Sequence, residues 1–344
     1  MRNIITKECG ENVFEYLSQF ADLGFKRTSI LFSNQQSSVA LLTDYHYTSI
    51  INLSKINDIR RINKFLESAN FKLPNNGIFI GLAETIEQRN KRVIKKYPIW
   101  FTWVYFLIDF FFKRVIPKIW GLKTIYFTLT LGRNRVISKA EVLGRLVSCG
   151  FDIVDYQEIN NKLYFVGKKV REPYFDRHPS YGPLFKMRRV GKNGKIINIY
   201  KFRTMHPFSE YLQKHIYELN LLDKGGKIKN DFRITFFGSF LRKIWIDELP
   251  MFYNLLKGQV KLVGVRPLSE HYLSLYDEEV KQKRLKFKPG IIPPFYVDMP
   301  KTIDEIMASE MKYFEAYEKK HFRTDFSYFF KAIYNIIFKK ARSR

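Results

Sequence analysis

A chain of 344 residues, 46% hydrophobic and 27% charged, is long enough for two cores and too apolar to stay an unfolded polyelectrolyte. Its formal charge of +26 calls for an anionic partner: nucleic acid, an anionic lipid surface or a phosphorylated substrate. Cys9 and Cys149 stand far apart with no CxxC spacing, which excludes a disulfide framework and a cysteine zinc site.

The N-terminal stretch MRNIITKECGENVFEYL has no apolar signal core, so the catalytic part is expected to remain cytoplasmic. TSILFSN, SSVALLT and YTSIINL then read as strands. Asn57-Asp58 is expected to open an amphipathic helix, IRRINKFLESANFKL, and Pro74-Asn75-Asn76-Gly77 to turn the chain into the strand IFIGLAE. Ser138 with Glu141 forms a capping-box pattern for a helix that Gly150 stops, and FDIVDYQEI and KLYFVGKK close the region as strands. Such alternation predicts an α/β domain over residues 1–170.

Between Pro98 and Leu122 lies the most apolar part of the chain, PIWFTWVYFLIDFFFKRVIPKIWGL. Its unbroken portion, 98–112, would make a helix of about 22 Å against a hydrocarbon core of about 30 Å, too short to span. Thr102, Tyr105, Asp109 and Lys113 share one face, and Lys91, Arg92, Lys95, Lys96, Arg114 and Lys118 add basic flanks. The pattern predicts a helix that enters one leaflet or lies in its surface with both ends on the cytoplasmic side. A helix buried in the domain is the competing reading.

The polar stretch REPYFDRHPSYGP separates this half from residues 171–344. LFKMRRVGKNGKIINIYKFRTM alternates on both sides of Asn193-Gly194, a hairpin signal, and carries Arg188, Arg189, Lys201 and Arg203. Asp247 and Glu248 precede Leu249-Pro250 and a helical run, MFYNLLK, that Gly258 closes. This places the two acids at a helix N-terminus, where unpaired N–H groups favour an ionised carboxylate and a neighbouring phosphate. An ordinary capping acid is the plainer alternative. Arg233, Arg242, Lys243, Lys257, Lys261 and Arg266 surround the pair in sequence, and Arg266 should follow a short strand, VKLVG. KFKPGIIPPFYVDMP reads as a loop too rich in proline to be helical. DEIMASEMKYFEAYEKK reads as a helix, and Thr324-Asp325 as the cap of a last amphipathic helix with Ser327, Lys331, Asn335 and Lys339 on its polar stripe.

Two resemblances follow from these blocks. The order of elements over residues 45–170 resembles the C-terminal half of a class I methyltransferase, but no GxGxG loop precedes Ile50, so S-adenosylmethionine is not expected and the domain reads as a degenerate Rossmann-like scaffold. GPLFKMRRVGKNGKIINIYKFRTM, NDFRIT, FLRKIWIDELPMFYNLLKGQVKLVGVRP and KFKPGI occur in the order of the bacterial sugar transferase family, the monotopic polyprenyl-phosphate phosphoglycosyl transferases. The family's Pro-Arg-Pro turn reads Val265-Arg266-Pro267 here, and its downstream loop reads IIPPFYVDMPK.

That resemblance implies an α+β catalytic domain with interfacial helices over residues 171–344. It implies transfer of a sugar 1-phosphate from a UDP-sugar to polyprenyl phosphate at the cytoplasmic face of the bacterial inner membrane, with Mg2+. Asp247 would be the nucleophile, forming a phosphosugar-aspartate intermediate. Glu248 would assist with the metal or proton, both acids being candidate metal ligands, and Arg203, Arg233, Arg242 and Arg266 would bind substrate phosphate. The expected partners are the UDP-sugar, polyprenyl phosphate, anionic lipids and, as a further candidate, a second copy of the chain in a homodimer. No zinc, RNP or helix-turn-helix pattern accompanies the charge, so nucleic acid is not expected. An inactive membrane scaffold for polysaccharide assembly is the principal rival reading.

Overall fold

The computed structural model describes residues 2–24, 26–119, 121–175, 182–219 and 231–339. Part of the expected inter-domain stretch, residues 176–181, lies outside them. The chain divides into two compact units: Met1–Tyr181 with Met205–Leu219 and Asp231–Arg233, and Gly182–Thr204 with Ile234–Arg344. Residues 205–219 and 231–233, expected in the second domain, therefore pack within the first.

The first unit is mixed α/β. Its strands β1 (Thr28–Leu31), β2 (Ser49–Lys55), β3 (Ile78–Ala83), β4 (Phe151–Ile159) and β5 (Lys162–Lys169) form one sheet in the order β1-β2-β3-β5-β4. β1, β2 and β3 run parallel, and β5 pairs antiparallel with both β3 and β4. Because successive strand side chains point to opposite faces, the apolar runs can cover two layers of helix at once. Ile51, Leu53, Ile80, Leu82 and Val166 share a core with Ile5, Val13 and Leu17 of the N-terminal helices Arg2–Cys9 and Glu11–Ser18. Phe79 instead meets Phe65 of the helix Ile62–Lys72, as well as Phe151 and Phe165, with ring centroids 5.8–6.2 Å apart. Each such ring buries enough apolar surface to contribute about 1.5–3 kcal/mol.

Two local expectations change and a third holds. SSVALLT is not a strand: Gln36–Ala40 is a short helix. Asn57-Asp58 does not cap the following helix, which begins at Ile62. Instead, the buried Asn57 side chain donates to the carbonyls of Glu84 and Arg135, 2.8 Å each, and accepts from the Glu84 N–H. Ser138 does cap its helix, accepting from the Glu141 N–H at 3.2 Å, while the Glu141 carboxylate takes Arg145 at 2.8 Å.

The apolar segment folds as the helix Ile99–Phe110, a wider π-helical turn at Phe111–Val115, a tight 3-10 turn at Ile116–Lys118, and a second helix, Leu122–Thr130. Its polarity is reversed with respect to water. Asp109 is held by Arg89 through bonds of 2.8 and 2.9 Å and by Lys113 at 2.9 Å, and Arg89 is only 5% exposed. Val104, Ile108, Phe111, Phe112, Ile125 and Leu129 face outward, Leu129 at 79%. No helix among the described residues is long and apolar enough to cross a membrane.

The second unit pairs β6 (Leu184–Val190) antiparallel with β7 (Ile196–Phe202) and β8 (Lys261–Val263) parallel with β9 (Gly290–Ile292). Asn193 and Gly194 take positive φ in the hairpin turn, which explains the Asn-Gly pair. Two long helices, Ile303–Lys319 and His321–Phe338, cover this framework through Tyr313, Phe314 and Tyr328. The proline-rich stretch is not all loop: Pro293-Pro294 start a one-turn helix, Phe295–Asp298. Nor do Thr324 and Asp325 cap the last helix, which begins at His321. Asp325 lies inside it and is bonded by Lys261 at 3.0 Å and the Tyr313 hydroxyl at 2.6 Å. Asn335, from its polar stripe, turns inward to the Tyr296 and Val297 carbonyls, leaving Phe322, Phe326, Phe330 and Tyr334 exposed at four-residue spacing.

Candidate active site

The acid pair sits in a single tight turn, Ile246–Glu248, immediately before the short helix Met251–Leu256. That helix starts where the sequence run MFYNLLK does, so Asp247 and Glu248 precede its first residue by four and three positions in a turn of their own, and no side chain caps it. Trp245 enters the turn with φ +59, a conformation rare for a bulky residue, and its ring packs on Tyr296 at 4.8 Å. That contact anchors the turn against the Phe295–Asp298 helix.

Asn254 ties the opposite end to the hairpin. Wholly buried, it accepts the Tyr200 N–H at 3.0 Å and donates to the Asn198 carbonyl at 2.6 Å and Gln259 at 2.7 Å. The helix following the acids is thereby fixed to β7, the strand that carries Lys201. Lys201 is ion-paired with Glu248.

Asp247 is half-buried, and that burial pushes its carboxyl above the usual aspartate range, aided by the charge of Glu248. Lys201 and Arg242 pull the other way. Arg242 also donates from Nε to the Thr204 hydroxyl at 2.9 Å. The helix carrying it, Phe236–Lys243, comes close because Gly238 packs on the Thr204 backbone: a Cβ there would stand 2.0 Å from the carbonyl oxygen.

The other arginines divide. Arg203, two residues beyond Lys201, donates from Nε to the Gly182 carbonyl at 3.0 Å and lies over Phe185. Arg266 is exposed and lines a cavity of about 280 Å³ with Arg189, Tyr272, Tyr276 and Phe295. Burial, and after it the charge of Arg266, disfavour the charged form of Arg189, and the one acid in that lining, Glu310, is ion-paired with Arg284. Such a cavity suits an anion. Arg233 belongs to the first unit and is buried, its guanidinium held by Asp231 at 2.7 Å and Gln213 at 2.7 Å.

Two glycines that sequence reasoning passed over set the position of Arg266. Gly264 and Gly290 lie backbone against backbone where β8 meets β9; a Cβ on Gly290 would stand 2.2 Å from the Gly264 nitrogen. The signal was available, since a glycine in a short strand marks close backbone approach. Asn254 offered no such signal, because its partners are distant in sequence.

Comparison with known proteins bears on residues 176–339, which match the family model described as bacterial sugar transferase. The chain is 41% identical over 137 residues to a galactosyl transferase, CpsE, of Streptococcus agalactiae, covering 38% of this chain and 30% of that protein. It is 33% identical over 184 residues to an uncharacterized sugar transferase of Haemophilus influenzae, covering 51% and 37%. It is 37% identical over 129 residues to the undecaprenyl-phosphate galactose phosphotransferase of Salmonella typhimurium, covering 36% and 27%. The matched region spans little more than a third of these relatives at most. The acid turn, its cations and the two-arginine cavity all lie inside residues 176–339, the stretch of this chain that matches the bacterial sugar transferase family model.

Proposed function

We propose that the protein is a phosphoglycosyl transferase that moves a sugar 1-phosphate from a UDP-sugar to polyprenyl phosphate, with Asp247 as the nucleophile. The observation that carries this is a half-buried aspartate beside Glu248, under the influence of Lys201 and Arg242, within a domain of this family. The relatives' names supply the substrate class: one is an undecaprenyl-phosphate galactose phosphotransferase, another a UDP-N-acetylgalactosamine-undecaprenyl-phosphate N-acetylgalactosaminephosphotransferase.

In the first step a carboxylate oxygen of Asp247 bonds to the β-phosphorus of the donor. The bond from that phosphorus to the bridging oxygen breaks, and UMP leaves with the electron pair. In the second, a phosphate oxygen of the lipid attacks the same phosphorus and Asp247 departs as carboxylate, giving polyprenyl-diphosphate-sugar. Covalent capture lets the soluble nucleotide leave before the lipid enters. Anion approaches anion in both steps. At 4 Å and an effective dielectric near 20, two unit charges interact by about 4 kcal/mol, so neighbouring cations weigh heavily. Arg203, Arg242 and Arg266 are proposed to bind the substrate phosphates; Arg233 is engaged with Asp231 in the first unit.

Among the described residues no group of three or more His, Cys, Asp or Glu gathers into a metal cage. Mg2+ does not require one, because it keeps several waters and is commonly held by one or two carboxylates together with substrate phosphates. The donor set of Asp247 and Glu248 fits that habit, and these two residues would hold the ion. When bound, it would neutralise charge on the donor diphosphate.

The outward apolar faces of the 99–130 segment and of the His321–Phe338 helix support a seat in a membrane surface; the proposed lipid acceptor would put that seat at the cytoplasmic face of the bacterial inner membrane. A panel of UDP-sugars with polyprenyl phosphate in detergent tests the reading by release of UMP. Turnover of one donor, abolished in Asp247→Asn, is expected; no release from any donor would favour an inactive membrane scaffold.

A further inference from the structure

We propose that a three-arginine cleft in the first unit binds the phosphate of an anionic membrane lipid, an inference that rests on the membrane seating of the 99–130 segment. The cleft encloses about 290 Å³ and is lined by Asn34–Gln36 beyond β1, Asp58–Arg61 beyond β2, and the 131–133 turn. β1 and β2 are parallel neighbours, so their carboxyl ends lie at one edge of the sheet, and the segments that follow both strands supply the lining.

Arg60, Arg61 and Arg133 are exposed, and among the described residues none of the three is ion-paired. Asp58, the one acid in the lining, is already engaged: it accepts the Asn134 N–H at 2.7 Å and faces Lys55 at 3.9 Å. Guanidinium forks match phosphate oxygens bidentately. They can serve here where no glycine loop offers backbone N–H groups.

The turn that brings Arg133 to Arg60 is built for close approach. Leu131, Gly132 and Asn134 all take positive φ, and a Cβ on Gly132 would stand 3.0 Å from the Arg60 Cα. Asn57 locks the turn from behind, donating to the Arg135 carbonyl at 2.8 Å and accepting the Arg135 N–H at its own carbonyl at 3.1 Å. The arginines are therefore gathered before any ligand arrives, which lowers the ordering cost of binding.

The choice of a lipid over a soluble phosphate comes from what adjoins the cleft. Leu131 lines it and is half exposed, and the Leu122–Thr130 helix leading into it exposes Ile125 and Leu129. A ligand with an anionic head and an apolar tail complements both surfaces, whereas a nucleotide complements one.

The test is vesicle flotation of the full-length protein on phosphatidylcholine, with and without phosphatidylglycerol. Arg60→Gln/Arg61→Gln/Arg133→Gln is compared with a control of equal charge change, Lys7→Gln/Lys26→Gln/Arg27→Gln, whose Arg27 precedes β1 at the opposite edge of the sheet. Thermal melting verifies that both variants fold. At about fivefold per basic group, the cleft variant should lose roughly 100-fold in affinity for the anionic vesicles, and the control far less. Equal losses in the two variants, or none in either, would overturn the cleft. Wild-type flotation that ignores phosphatidylglycerol would overturn it while leaving membrane seating intact, and failure to float on either vesicle would remove the seating as well. Tight UMP binding by lipid-free protein, lost in the cleft variant and kept in Asp247→Asn, would make the ligand a soluble phosphate and contradict the proposal.

Discussion

Lys201 of β7 is ion-paired with Glu248, the acid directly after Asp247. The pair does two jobs in the proposed chemistry: it holds Glu248 in place and brings a cation into the field of the nucleophile. Burial and the Glu248 charge raise the Asp247 carboxyl, while Lys201 and Arg242 lower it.

Activity requires Asp247 ionised, so the rate should fall as pH drops through its raised range. Lys201→Met removes a lowering influence. The acid limb of kcat/KM should therefore move to higher pH, with the neutral-pH rate down about tenfold or more, the scale of one lost charge contact in a half-buried site. An unmoved limb would place Lys201 outside the electrostatics of the nucleophile.

Asp247→Asn separates activity from stability. Because the folded-state carboxyl is raised, its favourable contribution belongs to low pH and is lost as pH rises through the folded value. At neutral pH the carboxylate is thus a burden on the fold. The Asn variant should melt about 1–3 °C higher at pH 7, with the gain vanishing near pH 3. A lower melting point at pH 7 would show that the cations outweigh burial.

Asn254→Ala removes three hydrogen bonds made by a buried side chain and leaves the part-buried Tyr200 N–H and the Asn198 carbonyl without that partner. Denaturant titration should show a loss of about 2–4 kcal/mol. Since the residue joins the helix after the acids to the strand of Lys201, kcat should fall more than KM changes.

Gly290→Ala forces apart two backbones already in contact at Gly264. A loss of about 3 kcal/mol is expected, with a raised donor KM because Arg266 lies two residues after Gly264. Gly194→Ala is the comparison: nothing lies within 4 Å of its Cβ, so only the positive φ penalises it, by about 1 kcal/mol.

Much of the fold could be read from local pattern. β3, β4, β5 and the β6–β7 hairpin follow from alternation bounded by glycine and asparagine, and the Lys139–Ser148 helix from Ser138 and Gly150. The misreadings have one physical origin, partners distant in sequence. Asn57 reads as a cap until Glu84 and Arg135 are placed beside it, and Asp325 reads as a cap until Lys261 and Tyr313 claim it. SSVALLT fails differently, since a run so short carries too little period to tell strand from helix. At the acid turn, composition named the carboxylates but not their geometry, because the left-handed Trp245 that aims them depends on Tyr296.

The most direct measurement is intact-protein mass spectrometry after mixing with the cognate UDP-sugar in the absence of lipid acceptor. A gain of one sugar phosphate is expected, mapped to Asp247, discharged on adding polyprenyl phosphate and absent in Asp247→Asn. Full transfer activity by the Asn variant, or an adduct on any other residue, would contradict it.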